Sequence, residues 1–188
     1  QHLQLKPEKC LLVPYGINQK SMPLDKQKCK ELVCSKHGFN PQHSLLFFNG
    51  LLDYKPNLDA LHTILEQINP LLQQSSLQYN ILVAGKRLPA ELDDLKAWKN
   101  QHLHYAGFVD DIELYFKSAD LFLNPVQSGG GVKTKMIESI AFGTTVISTK
   151  SGAIGIEEKV CDGKLVTVED NDWVNFTKAI VDNSKTST

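Results

Sequence analysis

Short apolar segments alternate with helical segments along most of this chain, and this alternation constrains the fold more than any other feature. The short segments are apolar on both faces, as is typical of parallel strands covered by helices on both sides. They lie at residues 44–50, 79–85, 102–109, 120–126, 144–149 and 163–168. Helical patterns occupy residues 56–73, 90–101, 111–119, 131–143 and 170–183. The pattern predicts the α/β class, with a doubly wound, Rossmann-like parallel sheet.

The chain divides into three regions. Residues 1–44 depart from the regular alternation and contain one predicted helix at 25–38, so we expect a linker or lead-in from a missing N-terminal domain. Residues 45–183 are predicted to form the α/β domain, and residues 184–188 a polar tail. The first residue is not Met, so we expect this sequence to be a fragment of a longer protein.

The charge and the apolar patterning narrow the possible partners. The formal net charge of the 188 residues is -1, which does not provide the basic face expected of a nucleic-acid-binding protein. No apolar run approaches the roughly 18–20 residues that span a bilayer, so no transmembrane segment is expected. We expect a cytoplasmic location, with the inner face of the membrane as an alternative for the full-length protein.

The cysteine pattern favours free thiols in a reducing compartment over a disulfide framework. The chain has four cysteines, Cys10, Cys29, Cys34 and Cys161. The sequence around Cys34 superficially resembles a zinc module, because His37 and His43 follow it. The loop that normally folds around the metal between the cysteine pair and the histidine pair is missing, however. We therefore expect a solvated helix here, and neither a metal nor another cofactor.

Residues 125–143 are the most informative segment for function. A short apolar strand leads into three consecutive glycines and then into a helix that is predicted to begin near Gly131. Bare backbone amides and the positive end of a helix dipole attract anions, and Lys133 and Lys135 add positive charge. The segment predicts a pocket for a nucleoside diphosphate carrying a sugar, with Glu138 accepting hydrogen bonds from sugar hydroxyls.

Three sequence blocks carry a family resemblance. They are FFNGLLDYKPNLDAL at residues 47–61, YAGFVDDIELYFKSADLFLNP at residues 105–125, and GGGVKTKMIESIAFGTTVISTKSGAIGI at residues 129–156. Together they resemble the C-terminal, nucleotide-sugar-binding domain of retaining glycosyltransferases with the GT-B fold, the glycosyl transferases of group 1. The earlier PYGI, at residues 14–17, is similar to the family's interdomain linker. The resemblance implies one half of a GT-B architecture.

The resemblance also implies an activity. It suggests the donor-binding domain of a hexosyl-type glycosyltransferase, which moves a sugar, with retention, from a nucleoside-diphosphate sugar to an acceptor. The acceptor, a carbohydrate or a lipid-linked molecule, would bind through the missing N-terminal domain, which also supplies the usual catalytic histidine. We therefore expect no certain catalytic residue in this fragment, and no transfer by the fragment alone.

The expected donor-binding residues come from the strand ends, the glycine segment and the resemblance. Lys135 and the amides after the fourth strand would hold the phosphates, while Glu138 would accept from both ribose hydroxyls. The side chain of Val132 is expected to face the sheet. The full set of candidates is Gly50, Lys55, Asn57, Phe108, Val109, Gly130, Gly131, Val132, Lys133, Thr134, Lys135 and Glu138.

Several of these candidates have a structural alternative. Lys133 and Lys135 could be solvated lysines on an exposed helix, and Glu138 could pair with Lys135 across one turn. Lys55 is the best second cation for the diphosphate, with a plain helix start as its alternative. Phe108 follows the third strand, where the family cradles the nucleobase, although a core position is slightly favoured for its ring.

One departure from the family pattern concerns the donor sugar. Many members carry two glutamates on this segment; Glu138 matches the second, but Gly130 stands where the first would be. The resemblance implies that the first glutamate approaches the sugar. That contact is either lost here or taken over by the backbone amides of Gly130 and Gly131. Thr145 also replaces the usual proline after the helix.

Three other functions were weighed. A nicotinamide- or flavin-dependent oxidoreductase is disfavoured, because Thr134 stands where a dinucleotide fingerprint needs its third glycine. The glycines also follow the fourth strand of the repeat and not the first. A nucleotide-sugar epimerase of the same fold and a non-catalytic nucleotide- or sugar-binding module both remain open.

Overall fold

The computed structural model describes residues 25–184, which form one six-stranded parallel sheet. The strands are β1 (Ser44–Leu51), β2 (Tyr79–Lys86), β3 (Leu103–Gly107), β4 (Leu121–Asn124), β5 (Thr145–Thr149) and β6 (Leu165–Val168). Their order across the sheet is β3-β2-β1-β4-β5-β6. The chain therefore builds outwards from β1 in one direction and then crosses over to build in the other. The doubly wound α/β prediction is confirmed, and the crossover defines a switch point between β1 and β4.

Helices connect and cover the strands. They are α1 (Lys26–His37), α2 (Lys55–Thr63), α3 (Asn69–Gln73), α4 (Ile112–Ser118), α5 (Thr134–Ala141) and α6 (Trp173–Ser184). A π-helical turn, Ile64–Ile68, joins α2 to α3, so the helix predicted at residues 56–73 is present with an interruption. Pro70 is the second residue after this turn, and a proline lacks the N–H that a continuous α-helix would need at that position.

Each face of the sheet has its own apolar core, because neighbouring residues of a strand point to opposite faces. Leu46 and Phe48 of β1 are buried with residues of α2, the π-helical turn and α6. Leu45 and Phe47 are buried on the other face with residues of α1, α4 and α5. Burial on both faces explains why the strand sequences are apolar without alternation.

Helix α1 is packed on this domain, although the sequence placed it in the lead-in region. Its residues Val33 and Cys34 are fully buried, and α1 lies against α4. Lys30 Nζ lies 2.7 Å from Asp120 Oδ2, and that carboxylate also accepts a hydrogen bond from the amide of Leu45. Whether residues 1–44 lead in from another domain stays a prediction, and residues 1–24 lie outside the described residues.

Two predicted helices differ from the observed ones. Residues 90–101 form 3-10 turns rather than one regular α-helix, since Asp93, Asp94 and Leu95 have positive φ angles. Short polar side chains tolerate that conformation, and the turn buries Leu95. The second difference is α5, which begins at Thr134 and not near Gly131, because the positive φ of Gly131 is not helical.

The carboxyl ends of β1 and β2 approach so closely that Gly85 has no room for a side chain. Gly85 has a φ of +150°, and a Cβ placed there would lie 1.9 Å from the carbonyl oxygen of Gly50. We predict that Gly85→Ala lowers the free energy of unfolding by roughly 1–3 kcal/mol or more, measured by urea denaturation.

Gly130→Ala is the matched control for this prediction. No atom lies within 4 Å of a Cβ built on Gly130, and its φ is outside the positive range. Its unfolding free energy should change by less than about 0.5 kcal/mol. Equal stabilities of the two variants would contradict the steric argument.

Candidate functional site

A cavity of about 420 Å³ opens at the carboxyl ends of β1 and β2 and beside the loop after β3. Its lining residues are Asn49, Gly50, Leu51, Ala84, Gly85, Lys86, Phe108, Val109, Asp110 and Ile112. Gly50 and Gly85 stand opposite each other in the register of the two strands. Because neither carries a side chain, the floor of the cavity is bare backbone. This is the edge of a doubly wound sheet at which ligands bind.

The ring of Phe108 forms one wall of this cavity. Phe108 is 58% exposed, so the core position favoured by the sequence is wrong. The ammonium of Lys86 lies 3.9 Å from the centroid of the ring, a distance typical of a cation–π contact. Val109, the next residue, is buried and also lines the cavity. The loop after β3 therefore presents one exposed aromatic side chain to a ligand.

The glycine segment, residues 129–131, lies beside the start of α2. A Cβ on Gly129 would come 3.2 Å from Pro56 and 3.4 Å from the hydroxyl of Tyr54. Lys133 folds back over the segment, and its ammonium donates to the carbonyls of Gly129 at 2.9 Å, Gly130 at 3.3 Å and Gly131 at 3.2 Å. The sequence assigned the ammonium of Lys133 to an incoming phosphate, but in the structure it is bound by these three carbonyls.

Lys135 reaches from α5 to the end of β1. Its ammonium donates to the carbonyl of Asn49 at 3.1 Å and to Oδ1 of Asn57 at 3.0 Å. The same nitrogen lies 4.9 Å from the ring centroid of Phe48 and 6.0 Å from that of Phe122. Burial, with the charge of Lys133 adding to it, lowers the pKa of Lys135 to about 7. Lys135 is therefore not a solvated lysine on an exposed helix, which was the structural alternative to a functional role.

The other candidate cation, Lys55, is engaged at the surface. Its ammonium bonds both carboxylate oxygens of Asp59, at 2.9 and 2.8 Å, one turn along α2. The side chain of Lys55 is 82% exposed, so this ion pair contributes little to stability and is easily exchanged. Asn57, between these two residues, points the other way and donates to the carbonyl of Leu51 at 3.0 Å.

The remaining candidates lie along α5 and just before it. Glu138 is half-buried one turn beyond Lys135, and Thr134 is the exposed first residue of the helix. Val132 is 40% exposed, so the expectation that it faces the sheet is wrong. The reason is the late start of α5, which leaves Val132 in the loop, where its methyl group lies against Gly155.

The structure brings the candidates into two groups that meet at β1. Gly50, Phe108 and Val109 line the cavity. Gly130, Gly131, Val132 and Lys133 lie in the glycine segment and the loop that joins it to α5, and Thr134 and Glu138 lie on α5. Asn57 and Lys135 join the groups through Asn49. The lining residues outside the candidate set are Asn49, Leu51, Ala84, Gly85, Lys86, Asp110 and Ile112. Proximity to a strand end or a helix start is the one signal that could have found them.

Within residues 25–184, no group of three or more His, Cys, Asp or Glu side chains could hold a metal ion. Cys29 and Cys34 are buried in the protein interior, where burial raises the pKa of both thiols. The expectation that function needs no cofactor stays a prediction. In the same part of the chain, no helix is long and apolar enough to cross a membrane.

The fold and the site together define a Rossmann-like domain with a cavity at the carboxyl ends of β1 and β2, one half of a GT-B architecture. The sequence profile of the family described as "Glycosyl transferases group 1" matches residues 43–184. The chain therefore belongs to the group 1 glycosyl transferases, and the family resemblance of its sequence is confirmed. A search of curated proteins found no match.

Solved structures support the same fold. WaaG, a glycosyltransferase involved in lipopolysaccharide biosynthesis, is 18% identical with a TM-score of 0.71, over 98% of this chain and 50% of that chain. HepE from Anabaena, in complex with UDP-glucose, is 20% identical with a TM-score of 0.61, over 86% of this chain and 45% of that one. A glycosyltransferase from Rickettsia africae is 16% identical with a TM-score of 0.66, over 86% of this chain and 42% of that one. The chain thus spans about half the length of these proteins.

The lowered pKa of Lys135 has a measurable effect on stability. Between about 7 and its usual value of 10.5, this lysine binds a proton in the unfolded chain but not in the native one. Its contribution to the unfolding free energy therefore rises with pH across that window. We predict that Lys135→Met loses this rise, so that urea denaturation at pH 7 to 10 shows wild type gaining stability relative to the variant.

Lys99→Met serves as the control, because Lys99 is exposed and makes none of the contacts of Lys135. The difference between this variant and wild type should stay flat over the same pH range. A flat difference for Lys135→Met as well would contradict the effect of burial on Lys135.

Proposed function

We propose that this domain binds the nucleoside-diphosphate sugar donor of a retaining, hexosyl-type glycosyltransferase. The observation that carries the proposal is the meeting of the cavity and the glycine segment at the end of β1. A nucleoside diphosphate also has two parts, which match these two features: a flat base with its ribose, and a short anionic diphosphate. The cavity suits the base and ribose, and the backbone amides with the start of α5 suit the diphosphate.

In the proposed reaction, the domain stabilises the negative charge of the leaving group. When the glycosidic bond breaks, negative charge grows on the phosphate of the leaving nucleoside diphosphate. Preorganised donors next to that oxygen lower the barrier. Lys135 and the amides of Gly130 and Gly131 would supply these donors, while Glu138 would accept hydrogen bonds from the ribose hydroxyls.

The position of Gly130 suits a sugar. No atom lies within 4 Å of where its Cβ would be, so the space that a family glutamate would fill is open. The glycosyl group of the donor would occupy that space. HepE was solved with UDP-glucose, which makes UDP and UDP-glucose the first ligands to try. The acceptor, a carbohydrate or a lipid-linked molecule, would bind mainly to the other half of the protein, at a cytoplasmic site.

A ligand panel tests this proposal against the alternatives. UDP, GDP, ADP and NAD are compared by the rise in melting temperature that each produces, since a ligand that binds only the native state stabilises it. One of the three diphosphates should raise the melting temperature most. A rise with NAD and with none of the diphosphates would favour an oxidoreductase and end the donor proposal.

Glu138 provides a test at the level of one residue. We predict that Glu138→Ala weakens nucleoside-diphosphate binding by about 1–3 kcal/mol, because two ribose hydroxyls lose their acceptor. Isothermal titration calorimetry with UDP measures this loss. Glu66→Ala, at an exposed position in the π-helical turn, should bind UDP as wild type does. If both variants bind alike, Glu138 is a structural residue.

The isolated chain should bind donor but transfer nothing. It spans about half the length of the solved glycosyltransferases, and acceptor contacts would come from the other half. We predict measurable UDP binding by calorimetry and no release of UDP from UDP-glucose above the background without protein. Robust transfer by these 188 residues would refute the need for a second half.

A further inference from the structure

We infer that Asn57 is a positioning residue, whose side-chain amide holds the ammonium of Lys135 at the end of β1, between the nucleotide cavity and the glycine segment. This inference rests on the proposed function in one respect, that Lys135 faces a diphosphate. It assigns Asn57 a different task from direct contact with the donor. It also makes Lys135, and not Lys55, the fixed cation of the site.

Both ends of the Asn57 amide are used. Oδ1 accepts from Lys135 at 3.0 Å, and Nδ2 donates to the carbonyl of Leu51 at 3.0 Å. A flipped amide would point its NH2 group at the ammonium and its oxygen at a carbonyl, so both contacts would be repulsive. The two partners therefore fix one orientation of the amide. The acceptor for Lys135 is built into the first turn of α2.

The end of β1 makes room for the amide. A Cβ on Gly50 would lie 2.7 Å from Nδ2 of Asn57, which is closer than real Cβ atoms approach. Gly50 is therefore required by the packing of Asn57 as well as by the open cavity. Pro56, within the first helical turn, presets the backbone from which Asn57 projects.

The two hydrogen-bond acceptors of Lys135 within residues 25–184 do not neutralise its charge. Its two acceptors, the carbonyl of Asn49 and Oδ1 of Asn57, are uncharged oxygens. On the strand side its ammonium contacts the rings of Phe48 and Phe122. Since an ammonium has three N–H donors, one remains for a ligand oxygen.

Four charged groups lie on the neighbouring segments. Lys133 precedes Lys135, and its field opposes a second positive charge. Glu138 follows on the next turn of α5, and Lys55 and Asp59 on α2 are paired with each other. A diphosphate entering here would bring the counter-charge that the two acceptors of Lys135 do not supply.

A site that binds a diphosphate through Lys135 needs an uncharged acceptor to hold the ammonium in place. An aspartate at position 57 would also hold the ammonium, but it would neutralise it and compete with the phosphate. A leucine would leave the ammonium without that acceptor. Asparagine fixes the position of Lys135 and keeps its charge available. Binding of a diphosphate would then favour the ammonium form, so the protein takes up a proton at mildly alkaline pH.

The test follows the titration of Lys135 directly. The full chain is labelled with ¹³C at lysine Cε, the Lys135 signal is assigned with Lys135→Arg, and its pKa is measured without ligand. We expect Asn57→Asp to raise the pKa of Lys135 by roughly 1–3, through an opposite charge in contact, and Asn57→Leu to lower it. Gln73→Glu, which adds the same charge at the exposed end of α3, should leave that pKa unchanged.

UDP binding at several pH values adds a functional readout. Wild-type affinity should fall as pH rises above 7 and approach a tenfold loss per pH unit, since binding must then add a proton to Lys135. Lys135→Arg should flatten this profile, because a guanidinium stays charged. Asn57→Asp should bind UDP about tenfold more weakly than wild type near pH 7. If Asn57→Asp does not fold, the fall in the pKa of Lys135 expected for Asn57→Leu carries the test.

The outcomes separate the two proposals. A Lys135 titration that is the same in wild type, Asn57→Asp and Asn57→Leu would overturn the positioning role. An equal shift with Gln73→Glu would overturn it too, because the effect would then be one of net charge. If Lys135 responds to Asn57 but wild type binds no UDP, GDP or ADP at any pH, the positioning stands and the donor site is wrong.

Discussion

The structure depends on β1, which pairs in parallel with β2 on one side and with β4 on the other. Its residues Leu45 to Phe48 are buried in alternation on the two faces, so both cores are anchored to the same strand. Beyond Phe48 the strand continues as Asn49 and Gly50 and ends at the exposed Leu51. The chain leaves β1 towards β2 and returns on its other side at β4, so the end of β1 lies between the cavity at β2 and the segment that follows β4.

The fold could be predicted from the sequence because burial on both faces leaves a direct mark on composition. The strand at residues 79–85 is apolar without alternation, and it forms β2 one residue longer than predicted. Residues 90–101 were harder, since their helical periodicity gives no warning of left-handed conformations at Asp93 and Asp94. The start of α5 was misplaced for a related reason, because three glycines do not reveal which of them adopts a positive φ.

The candidate site was predictable in location and less so in detail. Glycines and lysines at strand ends indicate an anion site, but they do not show where long side chains turn. Lys133 folds onto the carbonyls of its own loop, and Lys55 pairs with Asp59. Lys135 instead crosses to Asn49 and Asn57, which are 86 and 78 residues away in sequence. A contact at that separation has no local sequence signal, and it is the contact on which the site is built.

Helix α1 has a practical consequence for the limits of the domain. Lys26 donates to the carbonyl of Ala119 at 2.6 Å, Lys30 meets Asp120, and Val33 lies in the core, so α1 closes the face formed by α4. The lead-in region thus supplies one wall of the folded unit. A truncated protein that starts at Ser44 would uncover the face of α4 that carries Tyr115, which packs against His37 of α1, and exposed apolar patches promote association between copies. The shortest version worth expressing begins before Asp25.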